Sequence, residues 1–139
     1  MIELMASVDY SKLTSGTEVS SRTIVLDEDS IAGYLDAVGD ENGCLVDEGG
    51  VKLTPPMALA ALTLGGVIND LRIPGGTVHA GQEIEFSEAV PLGETIGCKA
   101  TVVQNSVRGG MRFMVVRLMV ENGDGRKVME GKSTIILPT

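Results

Sequence analysis

The 139-residue sequence contains only two cysteines, Cys44 and Cys98, and a single histidine, His79. These side chains are too few for a disulfide framework or for a zinc site built from clustered Cys and His ligands. Both cysteines are therefore predicted to be reduced and buried, and no metal site is expected.

Basic residues are also scarce, since 11 Lys and Arg stand against 19 Asp and Glu for a formal net charge of −8. A surface of this charge does not neutralise nucleic-acid phosphates or an anionic membrane, so neither is an expected partner. Seven of the 11 basic side chains lie in residues 97–139. This basic third would steer an anionic ligand, although solvated strand faces explain it more simply.

Long apolar runs are missing as well. The longest, Met57 to Ile68, is interrupted by Thr63 and two glycines and is far below the roughly 18 to 20 residues that span a bilayer. The first four residues have no basic region ahead of an apolar run, so no export signal is predicted and the cytoplasm is the expected location. With 43% hydrophobic residues, the chain is expected to form one globular domain.

The first part of the chain predicts an arm, a strand and a helix. Residues 1–16 have little periodicity and end in Thr-Ser-Gly, so we expect an N-terminal arm ahead of a domain that spans 17–139. A strand is predicted over 17–26. The helix that follows is predicted to be capped by Asp27 and to end at Gly39.

A second, main helix is predicted over 53–71, where Thr54 caps the start and a proline stands in the first turn. This helix is apolar nearly all round, which a soluble protein tolerates only if other structure encloses the helix. Its Gly65-Gly66 pair fits the close approach of a strand, a subunit or an acyl chain, and fits a kink equally well.

Four further strands are predicted over 77–90, 95–107, 111–121 and 127–137. Because short turns join them, they are expected to form a four-strand meander. Their alternating apolar residues predict one sheet face packed on the main helix. The expected architecture is an α+β domain in which a five-strand antiparallel sheet wraps around a long central helix.

Three passages in this order of elements carry a family resemblance: YLDAVGDEN at 34–42, GGTVHAGQEIEF at 75–86 and VPLGET at 90–95. From about Thr17 to Pro138 the chain resembles the MaoC-like family of acyl-CoA hydratases and dehydratases, which has the hot-dog fold. The resemblance implies a single hot-dog domain acting on acyl-CoA or acyl-carrier-protein thioesters in fatty acid metabolism. It implies no cofactor other than the coenzyme A of the substrate.

The catalytic turn of that family reads Gly-Asp-x-Asn-Pro-hydrophobic-His, and its Asp and His hold the water that adds to an enoyl thioester. Asp40 and Asn42 match this turn, whereas Gly43 replaces the proline and Leu45 replaces the histidine. Leucine neither takes nor gives a proton, so half of the acid–base pair is missing. The resemblance is closest to the family's non-catalytic N-terminal-type domain, with a degenerate site that acts with a His-bearing partner.

The predicted catalytic residues are Asp40 and Asn42, which match the family's turn, and His79, the only imidazole in the sequence. The predicted substrate-binding residues are Met57, Ala58, Gly81, Arg108 and Arg112, of which the two arginines belong to the basic third. Met57 and Ala58 would donate backbone N–H groups to the thioester carbonyl, because Pro55 and Pro56 have none. The two arginines would hold phosphates of coenzyme A or of the carrier protein's pantetheine. Structural explanations also exist, since Asp often caps turns and a lone strand His is often simply hydrogen-bonded.

Two other functions remain open from the residues. One is a non-catalytic acyl-CoA-binding module, and the other is a thioesterase in which Asp40 or a neighbouring carboxylate (Glu41, Asp47 or Glu48) positions water. A lone domain would leave the apolar helix and a sheet edge exposed. We therefore expect a homodimer, or a heterodimer with a catalytic hot-dog subunit, with the acyl site at the interface.

Overall fold

The computed structural model describes residues 8–43 and 45–139. Along the chain it has a short 3-10 turn (Tyr10–Lys12), strand β1 (Glu18–Val25), helices α1 (Glu28–Val38) and α2 (Pro56–Asp70), and strands β2 (Val78–Phe86), β3 (Thr95–Arg108), β4 (Met111–Glu121) and β5 (Lys127–Pro138). All neighbouring strands pair antiparallel. The predicted α+β class with a five-strand antiparallel sheet is confirmed.

Helix α1 begins and ends where the sequence predicts. The Asp27 carboxylate accepts a hydrogen bond from the backbone N–H of Ser30 at 2.8 Å, and this bond lowers the pKa of Asp27 below its usual value. Gly39 ends the helix in the left-handed conformation, with φ of 73°, which glycine adopts without the steric cost that a Cβ would add.

Helix α2 starts differently from the prediction, because Pro55 is the N-cap residue and no side chain caps the helix. Thr54 lies one residue too early, where its N–H donates to the Val90 carbonyl at 2.8 Å. Its hydroxyl is buried and has no hydrogen-bond partner among the described residues. The predicted capping role of Thr54 is therefore wrong. No helix in the described ranges is long and apolar enough to cross a membrane.

The order of strands in the sheet is β1-β3-β4-β5-β2. Strands β3, β4 and β5 form a meander, but β2 pairs with β5 at the sheet edge, so the predicted four-strand meander is wrong. The segment between β2 and β3 is no hairpin turn, because it joins the β2 edge of the sheet to β3, beside β1. There Leu92 N–H donates to the Lys52 carbonyl at 2.9 Å and Gly93 N–H to the Leu26 carbonyl at 2.7 Å.

The core lies between the inner face of the sheet and α2. As the alternation predicts, the buried side chains of β3 and β4 are Ile96, Cys98, Ala100, Val102, Met114, Val116, Leu118 and Val120. Burial raises the pKa of the Cys98 thiol, as expected of a buried cysteine, while Cys44 lies outside the described residues. One side of α2 stays open, since Met57 is 51% and Ile68 45% exposed.

A polar clamp fixes the end of α2 to β1. The Asp70 carboxylate accepts hydrogen bonds from the Ser20 hydroxyl and the Arg22 guanidinium, and these bonds lower the pKa of Asp70 to about 2. A Cβ on Gly66 would lie 2.9 Å from the Arg22 Cδ. Of the predicted explanations for the glycine pair, the approach of a strand side chain therefore fits Gly66.

The segment ahead of β1 is hydrogen-bonded to the end of α2 and to β3. The Tyr10 hydroxyl lies 2.7 Å from the Leu71 carbonyl oxygen at the end of α2. The Asn105 amide on β3 donates to the carbonyls of Tyr10 and Leu13, and Arg112 donates to the Asn105 side-chain oxygen at 2.8 Å. These contacts hold residues 10–13 against the domain.

Candidate functional site

A largely apolar pocket of about 290 Å³ opens at the start of α2, and we call it the α2 pocket. Its walls come from the strand-like loop before α2, the first turns of α2, and the end of β2 with the loop after it. The lining residues are Leu45, Leu53, Thr54, Pro56, Leu59, Phe86, Ser87, Glu88, Ala89 and Val90. An apolar cleft with a few polar groups is the usual form of a small-molecule site.

Leu45 contributes one wall of the α2 pocket. Its side chain is 73% exposed, and its carbonyl accepts from the Leu53 N–H at 2.8 Å. This position is the one at which the resemblance expects the catalytic histidine. The substitution therefore places an aliphatic side chain, with no proton to exchange, at the mouth of the pocket.

Asp40 and Asn42 lie in the exposed turn after α1 and are not among the lining residues. The Asp40 carboxylate accepts a hydrogen bond from the Asn42 backbone N–H at 2.9 Å. Asp40 thus has the ordinary turn-capping contact of an aspartate in such a loop. In the single chain, Asp40 and Asn42 are hydrogen-bonded to each other, and neither residue lines the α2 pocket.

The start of α2 offers few backbone donors to the pocket. Pro55 and Pro56 have no N–H, and the Ala58 N–H already donates to the Pro55 carbonyl at 2.9 Å. Met57, at the second helical position, has no intrahelical acceptor for its N–H. Of the two predicted backbone donors, Met57 is thus the one not engaged within the helix.

Three polar residues that line the pocket, Thr54, Ser87 and Glu88, were not predicted as site residues from the sequence. Thr54 is 4% exposed and carries an unpartnered hydroxyl, and Glu88 pairs with Arg126 at 3.3 Å. For Thr54 a signal did exist, because two prolines directly after a threonine leave fewer N–H groups for its side chain to cap. For Glu88 no local pattern distinguishes it from other loop carboxylates.

His79 lies at the other end of β2, facing a second pocket of about 300 Å³. That pocket is lined by Leu64, Val67, Ile68, Ile73, Pro74, Gly75, Gly76, Thr77, His79, Val116, Ser133 and Ile135. Seven residues separate His79 from Phe86 in the α2 pocket, a distance of roughly 20 Å along a strand. One chain therefore places His79 in a different pocket from Leu45 and Thr54, at the opposite end of β2.

The remaining predicted binding residues also lie away from the α2 pocket. The Arg108 guanidinium sits 5.1 Å from the ring centre of Phe113, and Arg112 holds Asn105, both at the β3–β4 hairpin. Gly81 follows a β-bulge in β2, and a Cβ there would make only ordinary contact with Thr134 at 3.7 Å. Arg126 lies beside the α2 pocket, because its guanidinium pairs with the Glu88 carboxylate that lines the pocket.

Within residues 8–43 and 45–139, no group of three or more His, Cys, Asp or Glu side chains is placed to hold a metal ion.

The described residues form a hot-dog domain with an apolar pocket at the start of α2. The chain belongs to the family described as FAS1-like, dehydratase domain region, whose sequence model matches residues 14–131. No curated protein matches the sequence. The match to this family model confirms the predicted MaoC-like, hot-dog relationship.

Solved structures share this fold at low sequence identity. The R-hydratase PhaJ1 from Pseudomonas aeruginosa is 20% identical with a TM-score of 0.78, over 95% of this chain and 86% of that one. The monoamine oxidase regulatory protein from Archaeoglobus fulgius is 16% identical with a TM-score of 0.79, over 96% of both chains. The HadBC 3R-hydroxyacyl-ACP dehydratase complex from Mycobacterium tuberculosis is 18% identical with a TM-score of 0.66, over 87% and 98%.

Proposed function

We propose that this chain is the half of an acyl-thioester hydratase or dehydratase that lacks the histidine of the catalytic turn. It binds the acyl part of an acyl-CoA or acyl-carrier-protein thioester in the α2 pocket. A second hot-dog chain supplies the acid–base histidine. The observation that carries this proposal is Leu45, which lines the pocket of a dehydratase-family domain at the position of that histidine.

Hydration of an enoyl thioester needs one group that takes a proton from water and one that returns a proton to the α-carbon. The Asp40 carboxylate accepts one hydrogen bond, from the Asn42 N–H, and retains acceptor capacity with which to take one of these roles. Leu45 can take neither role. The chain by itself therefore provides the acyl-binding wall and one carboxylate, and the proton chemistry needs a partner.

The edge strand β2 is the surface on which we place that partner. Val78 is 55% and Phe86 37% exposed along this strand, and β2 has a hydrogen-bonded neighbour on one side only. The HadBC structure, which has this fold, is a complex of a dehydratase. Antiparallel pairing of two β2 strands about a two-fold axis would bring the His79 end of one chain beside the Phe86 end of the other.

When the His-bearing chain is absent, a second copy of this chain can occupy the same β2 edge, and it would complete the surroundings of the α2 pocket. The β3–β4 hairpin, with Arg108 and Arg112, lies at the same end of the sheet as His79, because Met111 pairs with Pro138 and Val78 with Ile136. Those arginines would then reach the pocket of the neighbouring chain. In this arrangement the basic hairpin is positioned for the phosphates of a coenzyme A or pantetheine carrier.

Light scattering at micromolar concentration is expected to report twice the mass of one chain. Val78→Glu should shift the protein towards monomer, because it places charge on the β2 edge. Val25→Glu is the matched control, since Val25 is 51% exposed on β1 at the opposite sheet edge. A wild-type monomer, or equal effects of the two variants, would argue against pairing through β2.

Calorimetric titration tests the pocket itself. Hexanoyl-CoA should bind about tenfold more tightly than butyryl-CoA, because each buried methylene contributes about 0.8 kcal/mol. Ala89→Trp, which fills the pocket from an exposed position, should remove this gain. Ala37→Trp on the exposed face of α1 is the control and should leave it unchanged. Equal affinity for both thioesters and for free coenzyme A would contradict an acyl-binding role.

A further inference from the structure

The Thr54 side chain combines burial with an unused hydrogen-bonding group. The residue is 4% exposed, yet its hydroxyl has no partner among the described residues. An unpaired buried hydroxyl costs about 1–3 kcal/mol, so native proteins rarely keep one without a reason. Capping of α2 does not explain the buried hydroxyl of Thr54, because the helix has no side-chain cap.

The backbone around Thr54 is held on both sides. Its N–H donates to the Val90 carbonyl at 2.8 Å, and the preceding Leu53 N–H donates to the Leu45 carbonyl at 2.8 Å. Leu53 also forms an isolated bridge with Pro91. The hydroxyl is therefore carried by a fixed segment between two walls of the α2 pocket, which limits the entropy lost when it binds a ligand.

The start of α2, next to Thr54, has few free backbone N–H donors. Pro55 and Pro56 occupy the N-cap and first helical positions, and the Ala58 N–H is bonded to Pro55. A ligand carbonyl in the α2 pocket thus finds the Met57 N–H and few other backbone groups. A threonine hydroxyl donates one hydrogen bond and accepts others, so it can serve where an N–H is absent.

We propose that the Thr54 hydroxyl donates a hydrogen bond to the carbonyl oxygen of the thioester bound in the α2 pocket. It replaces the backbone N–H groups that Pro55 and Pro56 cannot supply. This inference rests on the proposed acyl-thioester function and adds the residue that distinguishes a thioester from a ligand without the carbonyl.

The test compares hexanoyl-CoA with hexyl-CoA, a thioether of similar length that lacks the carbonyl oxygen. Wild-type protein should prefer the thioester by about fivefold, the usual size of one neutral hydrogen bond. Thr54→Val should bind both ligands equally, with hexyl-CoA affinity unchanged. Thr54→Ser should keep the preference. The thioester carbonyl stretch in the infrared spectrum should shift to lower frequency in the wild type and in Thr54→Ser but not in Thr54→Val.

Thr77→Val is the matched control, because Thr77 also carries a buried, unpartnered hydroxyl but lines the pocket at His79. It should leave the preference intact. Thr54→Val should also unfold at or above the wild-type temperature, since it removes an unsatisfied group. A preference retained in Thr54→Val would overturn the inference while leaving the proposed function standing. Failure of the wild type to bind either ligand would instead overturn the proposed function, and this inference with it.

Discussion

Purified wild-type protein is expected to hydrate crotonyl-CoA at no more than background rate. The reason is Leu45, since losing one general acid–base group typically costs on the order of 10²- to 10⁴-fold in rate. The measurement is the loss of enoyl-thioester absorbance with time. Leu45→His should recover little, because an acid–base imidazole also needs a neighbour that orients it and Gly43, with φ of 74°, leaves the turn without the family's proline.

A complex with a hot-dog chain that carries the full Gly-Asp-x-Asn-Pro-x-His turn should be active. Replacing the histidine of that chain by alanine should abolish the activity, whereas His79→Ala in the present chain should not. Robust turnover by the isolated wild type, lost in His79→Ala, would reverse this assignment. The acid–base role would then belong to His79, delivered to the α2 pocket from a second copy.

Gly131→Ala is expected to destabilise the protein by about 2 kcal/mol and to lower the unfolding temperature by about 10 °C. Gly131 pairs with Ile84 across the β2–β5 ladder, and a Cβ there would overlap the Glu83 carbonyl oxygen and lie 3.2 Å from the Ile84 Cα. These contacts are backbone atoms, so no side-chain rotation relieves them. Strand β2 must move away from β5.

Gly97→Ala is the control for this effect. Gly97 is also a strand glycine, on β3, but a Cβ there meets nothing within 4 Å, so the change should stay within about 0.5 kcal/mol of the wild type. Because β2 is the proposed interface, Gly131→Ala should also weaken the dimer seen by light scattering. Equal unfolding temperatures for Gly131→Ala and the wild type would show that β2 does not lie where this register places it.

The candidate site was predictable in part. The turn with Asp40, Asn42 and Leu45 was visible in the sequence because its spacing is local, and Leu45 does line the pocket. The placement of His79 outside the α2 pocket was not visible, because it depends on how β2 lies against the rest of the domain. The contact of Arg112 with Asn105 was not predicted either, because it depends on the register of the β3–β4 hairpin, which brings the two side chains together.

The sequence by itself determined the features that arise within a few residues. Asp27 and Gly39 set the bounds of α1 through a side-chain cap and a left-handed glycine, and strict alternation set the buried face of β3 and β4. Only the tertiary structure decided that β2 pairs with β5 and that the Thr54 hydroxyl is buried without a partner. Both depend on hydrogen bonds between segments some 35 to 60 residues apart, and no local period or capping pattern carries information over that distance.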